Sequence, residues 1–366
     1  MEAHDGNDFL MRNSSDIRVC RRDHLAEKIV FVDGIEGCGK TMLAPIVAAL
    51  DRVELLAYAY EIEHLCSLEH LDKIDSDAAA STISLLADLQ LYNSMQSREI
   101  NFRPSDLSSV FRASQPWRYV QRLFSPGDAE ATARIAAERP ILLLTTHRLV
   151  AYCAPLFKAL GNRMVMVEVV RHPLYMLTQN VRNFSGLIGT VRNFTIHYEY
   201  AGKPFPYFAR GWESVFDTSN DVDKAIYYLQ YMILRSQRMR VEFGARFPGQ
   251  MLTVPFEEFV ISPDGHMRAL ERALGTKITQ HTKTMMKKQK VPRERYADSL
   301  DLSIYRRCGW EPPKKGFSER HEFQYRRDWA AERASPEAMQ VFDNICNEYE
   351  EQFMNGALRN GESSYI

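Results

Sequence analysis

The first 27 residues are polar and carry charges throughout, and the chain then turns abruptly apolar. The run Lys28-Ile29-Val30-Phe31-Val32-Asp33 is continuous and rich in β-branched residues, which predicts a strand buried on both faces. Residues 141–144 (ILLL) and 164–170 (MVMVEVV) predict two more such strands, and 250–254 a short fourth. Between them the apolar positions recur at helical spacing. Helices are predicted over 41–50, 78–95, 129–138, 222–243, 266–274 and 336–354, with Gly275 stopping the fifth and Pro45 close to the start of the first. Strands alternating with helices predict an α/β protein whose central parallel sheet is covered on both faces.

Two stretches break this rhythm. Residues 101–128 are mixed and aromatic, and predict a surface excursion. Residues 183–222 are rich in Gly, Phe, Tyr and Trp without a period, and predict an inserted loop or lid over a site. The expected organisation is a flexible leader over 1–27 and a main domain over 28–275, with inserts at about 54–128 and 183–222. A charged, partly helical extension over 276–366 is expected to pack on the same domain.

Composition narrows the partners. Lys and Arg number 46 against 47 Asp and Glu, a net charge of −1 that gives no reason to expect a nucleic-acid groove or a membrane surface. Six cysteines (Cys20, Cys38, Cys66, Cys153, Cys308, Cys346) form no CxxC pair, which suits reduced thiols rather than a disulfide framework or a zinc module. No signal-peptide core and no run of about 18 apolar residues is present, so a soluble cytoplasmic protein without a membrane span is expected. Oligomeric state is not legible.

Candidate chemistry begins directly after the first strand. Gly34-Ile35-Glu36-Gly37-Cys38-Gly39-Lys40-Thr41 fits G-x-x-x-x-G-K-[ST] at every fixed position, between a predicted strand and a predicted helix. In that setting the backbone N–H groups form an anion-binding nest and the helix N-terminus adds partial positive charge. Lys40 supplies a mobile full charge, and the Thr41 hydroxyl can meet a phosphate oxygen or a metal. The fold class is therefore a P-loop NTPase-like three-layer α/β/α sandwich. Nucleotide-hydrolysing members usually add a hydrophobic strand ending in Asp to hold magnesium. Here 141–144 runs into Thr145-Thr146-His147, and 164–170 ends at Arg171, with Glu168 inside the strand. Ligands of open α/β sheets sit at the carboxyl ends of the strands, which places the loop, His147 and Arg171 together.

This set resembles the sulfotransferase family, over about residues 28–275 and more weakly the tail at Lys314-Lys315-Gly316. The family uses 3′-phosphoadenosine 5′-phosphosulfate (PAPS), whose 5′-phosphosulfate binds the loop matched by 34–41. Thr145-Thr146-His147 is similar to the family's Lys-Thr-His, whose His is the usual base. VEVVRHP at 167–173 is similar to a strand ending in Arg-x-Pro that binds the 3′-phosphate, and 252–275 looks like the family's later strand, turn and helix. Two departures stand out. Gln179, preceded by Thr178, occupies the position of the family's second 3′-phosphate ligand, a serine, and Lys40 stands where many members have Thr or Ser.

The resemblance implies sulfuryl transfer to a hydroxyl of a carbohydrate or other small acceptor. His147 would be the base and Lys40 would place charge on the leaving bridge oxygen. The loop residues with Arg171, Thr178 and Gln179 would hold the donor, and no metal is expected. Phe184, Tyr198, Phe205, Tyr207, Phe208 and Trp212 would line the acceptor site or simply pack the insert. The alternatives are a small-molecule kinase using Mg-ATP, favoured by Lys40-Thr41, and a nucleotide-binding protein without transfer chemistry.

Overall fold

The computed structural model describes residues 17–300, 305–306, 309, 311–313 and 316–354. Cys308, Lys314 and Lys315 lie outside them. Five parallel strands form one sheet: β1 (Lys28–Asp33), β2 (Ala57–Tyr58), β3 (Ile141–Thr145), β4 (Met164–Val170) and β7 (Met251–Pro255), in the order β2-β3-β1-β4-β7. Every residue of β3, and all but one of β1 and of β4, is buried. Alternate residues of a strand point to opposite faces, so both faces are covered, as the unbroken apolar runs require. Of the sheet strands only β2 escaped the sequence pattern, being two residues long without a period of its own.

The chain passes from β1 out to β2, back to β3 and then across β1 to β4, so the strand order reverses there. Register aligns the tips: Val32 is opposite Thr145, Asp33 opposite Glu168, and Val170 opposite Pro255. Because all strands run the same way, the segments after β1, β3, β4 and β7 emerge along one edge.

The helices are α1 (Lys40–Ala48), α2 (Tyr60–His70), α3 (Ser76–Met95), α4 (Pro116–Arg122), α5 (Asp128–Glu138), α6 (Ala154–Leu160) and α7 (Pro173–Gly186). After a hairpin, β5 (His197–Tyr200) and β6 (Lys203–Pro206), come α8 (Glu213–Thr218), α9 (Asp221–Arg246), α10 (Phe256–Ile261), α11 (Asp264–Leu274) and α12 (Gln280–Lys288). Two later helices, α13 (Glu319–Ala331) and α14 (Pro336–Phe353), pack on α7, and α14 also on α9. Pro45 sits inside α1, and Gly275, with φ 61°, ends α11 in the left-handed conformation that glycine adopts freely.

The leader expected to be loose is, over its described part, tied to α3. Buried Asp88 accepts the backbone N–H groups of Leu25 and Ala26 at 3.0 Å and the Arg21 guanidinium at 2.8 Å. A buried carboxylate needs such partners, and this short segment supplies them. The excursion over 101–128 does present apolar surface: Phe111, Trp117 and Phe124 are exposed. The stretch expected to be an inserted loop or lid carries regular structure: the end of α7, the β5–β6 hairpin and α8.

Candidate active site

The loop after β1 turns back beneath the tip of β4. A side chain at Gly34 (φ 148°) would strike the Val169 carbonyl, and one at Gly39 (φ 104°) would strike the Phe256 ring. The Gly34 carbonyl accepts from the Lys40 ammonium and, at 3.0 Å, from the Arg148 N–H. Lys40 is thus folded over its own loop, with its charge beside the first backbone turn.

Glu36 does not face solvent. Its carboxylate pairs with Arg148 and accepts the Tyr228 hydroxyl at 2.7 Å, and its backbone carbonyl accepts Asn180 Nδ2 at 3.0 Å. Arg148 in turn lies over the Phe208 ring, 4.8 Å from its centroid. Glu36 therefore anchors the loop to α7 and α9. Ile35 faces a small cavity behind the loop, and Cys38 borders both that cavity and the main one. Burial pushes the Cys38 thiol up, which suits a protonated filler.

One cavity collects most of the expected residues. Glu36 to Thr41, His147, Arg171, Thr178 and Gln179 line it, whereas Gly34 and Ile35 do not. Arg171 Nη1 donates to the Gly37 carbonyl at 3.0 Å, and the guanidinium is sandwiched by Phe256 (4.1 Å) and Tyr175 (4.7 Å). Pro173 starts α7 and the His172 ring caps it, accepting the Leu174 N–H at 3.3 Å, so Thr178 and Gln179 come round to the loop.

The structure adds residues that the strand-tip reasoning missed. Arg293 and Arg326 line the same cavity, and Thr41 Oγ1 lies 3.5 Å from the Tyr305 hydroxyl. Burial and then the nearby Arg171 charge depress Arg293 to about 10. Arg171 is also lowered, by burial first; Glu257 opposes this and Arg326 adds to it. Three guanidinium groups thus crowd one space, with acids at its margin: Glu257 lies 3.9 Å from Arg171 and already accepts the Tyr349 hydroxyl at 2.5 Å, and Glu322 lies 3.7 Å from Arg326. The tip of β7 could have pointed to Phe256 and Glu257. Arg293 and Arg326 carry no signal among the many charges of the tail.

On the other side of His147 a second cavity of about 300 Å³ opens, sharing Glu36, His147 and Gln179 with the first. Tyr60, Glu63, Asn183, Arg192, Asn193 and Thr195 help to line it. Of the six aromatic residues expected there only Tyr207 takes part. Phe184 and Phe208 pack edge-to-face with each other and with Phe216 and Tyr228, and Tyr198 donates to Glu213 at 2.6 Å. Phe205 is buried, and Trp212 donates to the Phe208 carbonyl at 2.8 Å. The other five pack the insert, because rings at this density bury one another before they offer a platform.

The acids near the sheet's edge are committed. Asp33 accepts Thr146 Oγ1 at 2.9 Å and the Val150 N–H at 2.7 Å, and Glu168 is bound to Arg240 at 2.5 Å.

No protein-family model matches this chain, and no curated protein matches it in sequence. Solved sulfotransferase structures resemble it across most of its length. Sulfotransferase STF9 from Mycobacterium avium is 14% identical, with a TM-score of 0.40 over 90% of this chain and 77% of that one. The sulfotransferase domain of the Synechococcus PCC 7002 olefin synthase is 13% identical (TM-score 0.38), covering 86% of this chain and 98% of that one. Mouse sulfotransferase SULT7A1, complexed with PAP, is 10% identical (TM-score 0.37), covering 94% and 90%. Similarity this distant carries no residue's role across.

Proposed function

We propose that the protein transfers a sulfuryl group from PAPS to a hydroxyl of a small or carbohydrate acceptor, without a metal. The observation that carries this reading is the crowding of Arg171, Arg293 and Arg326 around the cavity that also holds the phosphate loop. Buried like charges are costly unless an anion joins them, and a donor with phosphates at both ends of its ribose supplies two. The loop N–H groups would take the 5′-phosphosulfate, and Lys40 would swing from the Gly34 carbonyl to the bridging oxygen as charge develops there. Arg171, with Thr178 and Gln179, would take the 3′-phosphate. His147 stands where the two cavities meet, as a base between donor and acceptor must. The polar groups of the second cavity suit a hydroxylated acceptor.

Lys40-Thr41 favours a second reading, phosphoryl transfer from Mg-ATP. Against it, the commitment of Asp33 and Glu168 to protein partners leaves neither free to hold the metal. The two readings separate in one assay of radiolabelled PAPS and, separately, Mg-ATP against a panel of sugars and phenols. Label should pass from PAPS with chelator present, and His147→Ala should slow it by about 10²- to 10⁴-fold. Undiminished transfer by that variant, or transfer from Mg-ATP alone, would contradict the proposal.

A further inference from the structure

Glu63 belongs to α2, outside the set that the strand tips deliver. Its Oε1 accepts twice from His147, from the backbone N–H at 2.7 Å and from ring Nδ1 at 3.0 Å. The rings of Tyr58 and Tyr60 lie nearly parallel to the imidazole, each 6.1 Å away and tilted by 5° and 14°. The Glu63 side chain is 15% exposed and that of His147 30%, so the pair sits at the cavity wall rather than in bulk water.

An ionised carboxylate only accepts, so Nδ1 must carry the hydrogen. In a neutral imidazole the lone pair then belongs to Nε2. The backbone bond alone would fix the chain after β3; the ring bond adds a choice of tautomer that the fold does not need. We propose that Glu63 is a positioning residue that holds His147 as its Nδ1–H tautomer and so makes Nε2 the proton-accepting atom. This rests on the sulfuryl-transfer reading for its purpose, though not for its geometry. In the step it serves, the acceptor O–H proton passes to Nε2 and the oxygen pair forms the new bond to sulfur. The bond from sulfur to the bridging phosphate oxygen breaks, and adenosine 3′,5′-bisphosphate leaves with that electron pair. Glu63 then faces the imidazolium it has helped to form.

The test reads the tautomer directly, by ¹⁵N NMR of histidine-labelled full-length protein, with the His147 signals assigned by their loss in His147→Gln. Wild type should show Nδ1 protonated and Nε2 bare in the neutral ring. Glu63→Ala should shift His147 towards the Nε2–H form, and Glu63→Gln, whose carbonyl oxygen accepts the same bond, should restore it. Sulfate release from PAPS with water as acceptor should fall about 100-fold in Glu63→Ala. It should recover in Glu63→Gln, with adenosine 3′,5′-bisphosphate affinity within twofold of wild type in both. An Nε2–H ring in the wild type overturns the proposal, and that measurement needs no variant to fold. An unchanged tautomer in Glu63→Ala overturns it too. Failure of wild type to bind the bisphosphate would instead strike at the function, leaving the tautomer readable.

Discussion

Arg171, just past the end of β4, and Glu36, in the phosphate loop, do opposite things. Arg171 is held by two rings and one carbonyl with its charge turned to the cavity, so its removal should weaken bisphosphate binding rather than folding. Arg171→Ala is expected to raise the dissociation constant by about 10- to 100-fold, the scale of a lost charge-assisted contact, with little change in urea midpoint. Glu36 is spent on Arg148 and Tyr228. Glu36→Ala leaves Arg148 buried and unpaired, and should cost about 3–5 kcal/mol in urea unfolding. A loss under about 1 kcal/mol would mean that the loop stands without its anchor. The loop motif placed Glu36 and the end of the strand over 164–170 placed Arg171, yet nothing in either pattern separated anchor from ligand. That distinction depends on Arg148, Tyr228 and α9, which no local pattern joins to position 36.

At the scale of elements, what could be read in advance followed from period and position. β1 and β4 match the buried apolar runs residue for residue, and the helix over 78–95 gained only its first two residues, Ser76 and Asp77, because long periodic segments leave little choice. The convergence of loop, His147 and Arg171 was legible because parallel strands put their ends on one edge. The partners from helices were not. Glu63 reaches His147 from α2 across 84 residues of chain, and Arg326 arrives on α13. The aromatic insert left two readings open, since composition shows how many rings there are and not whether they face one another. α14 shows what the tail contributes: Tyr349 donates to Glu257 at 2.5 Å, and Glu257 also accepts the His172 N–H at 3.3 Å, just past the tip of β4. Tyr349→Phe should cost about 1–3 kcal/mol by leaving that buried carboxylate short of a donor. It should also raise the bisphosphate dissociation constant, because Glu257 is the acid nearest Arg171. Loss of stability with unchanged binding would confine α14 to support.

The whole molecule should be less stable in mild acid, and His70 gives one reason. Burial, then the charges of Arg235 and Arg210, lower it from 6.5 to about 4. Its Nδ1 lies 3.2 Å from Arg235 Nη2, a contact only the neutral ring can accept. The unfolded chain takes up this proton near 6.5 while the folded one resists until about 4. Across that window the unfolded state binds more protons, so stability falls as pH drops through it and levels off below. The loss is about 3 kcal/mol at most, and urea midpoints at about pH 7, 5.5 and 4.5 should show it flattened in His70→Gln. An equally steep fall in that variant would assign the acid limb to other groups.

The central claim is that the loop and the arginine cluster form one site for a bisphosphate nucleotide. Calorimetric titration with adenosine 3′,5′-bisphosphate, and separately with ATP with and without magnesium, tests it most directly. The predicted result is micromolar, metal-independent binding of the bisphosphate that weakens by about 10- to 100-fold in Arg171→Ala. Preference for magnesium-ATP, or bisphosphate binding that is indifferent to Arg171, would contradict it.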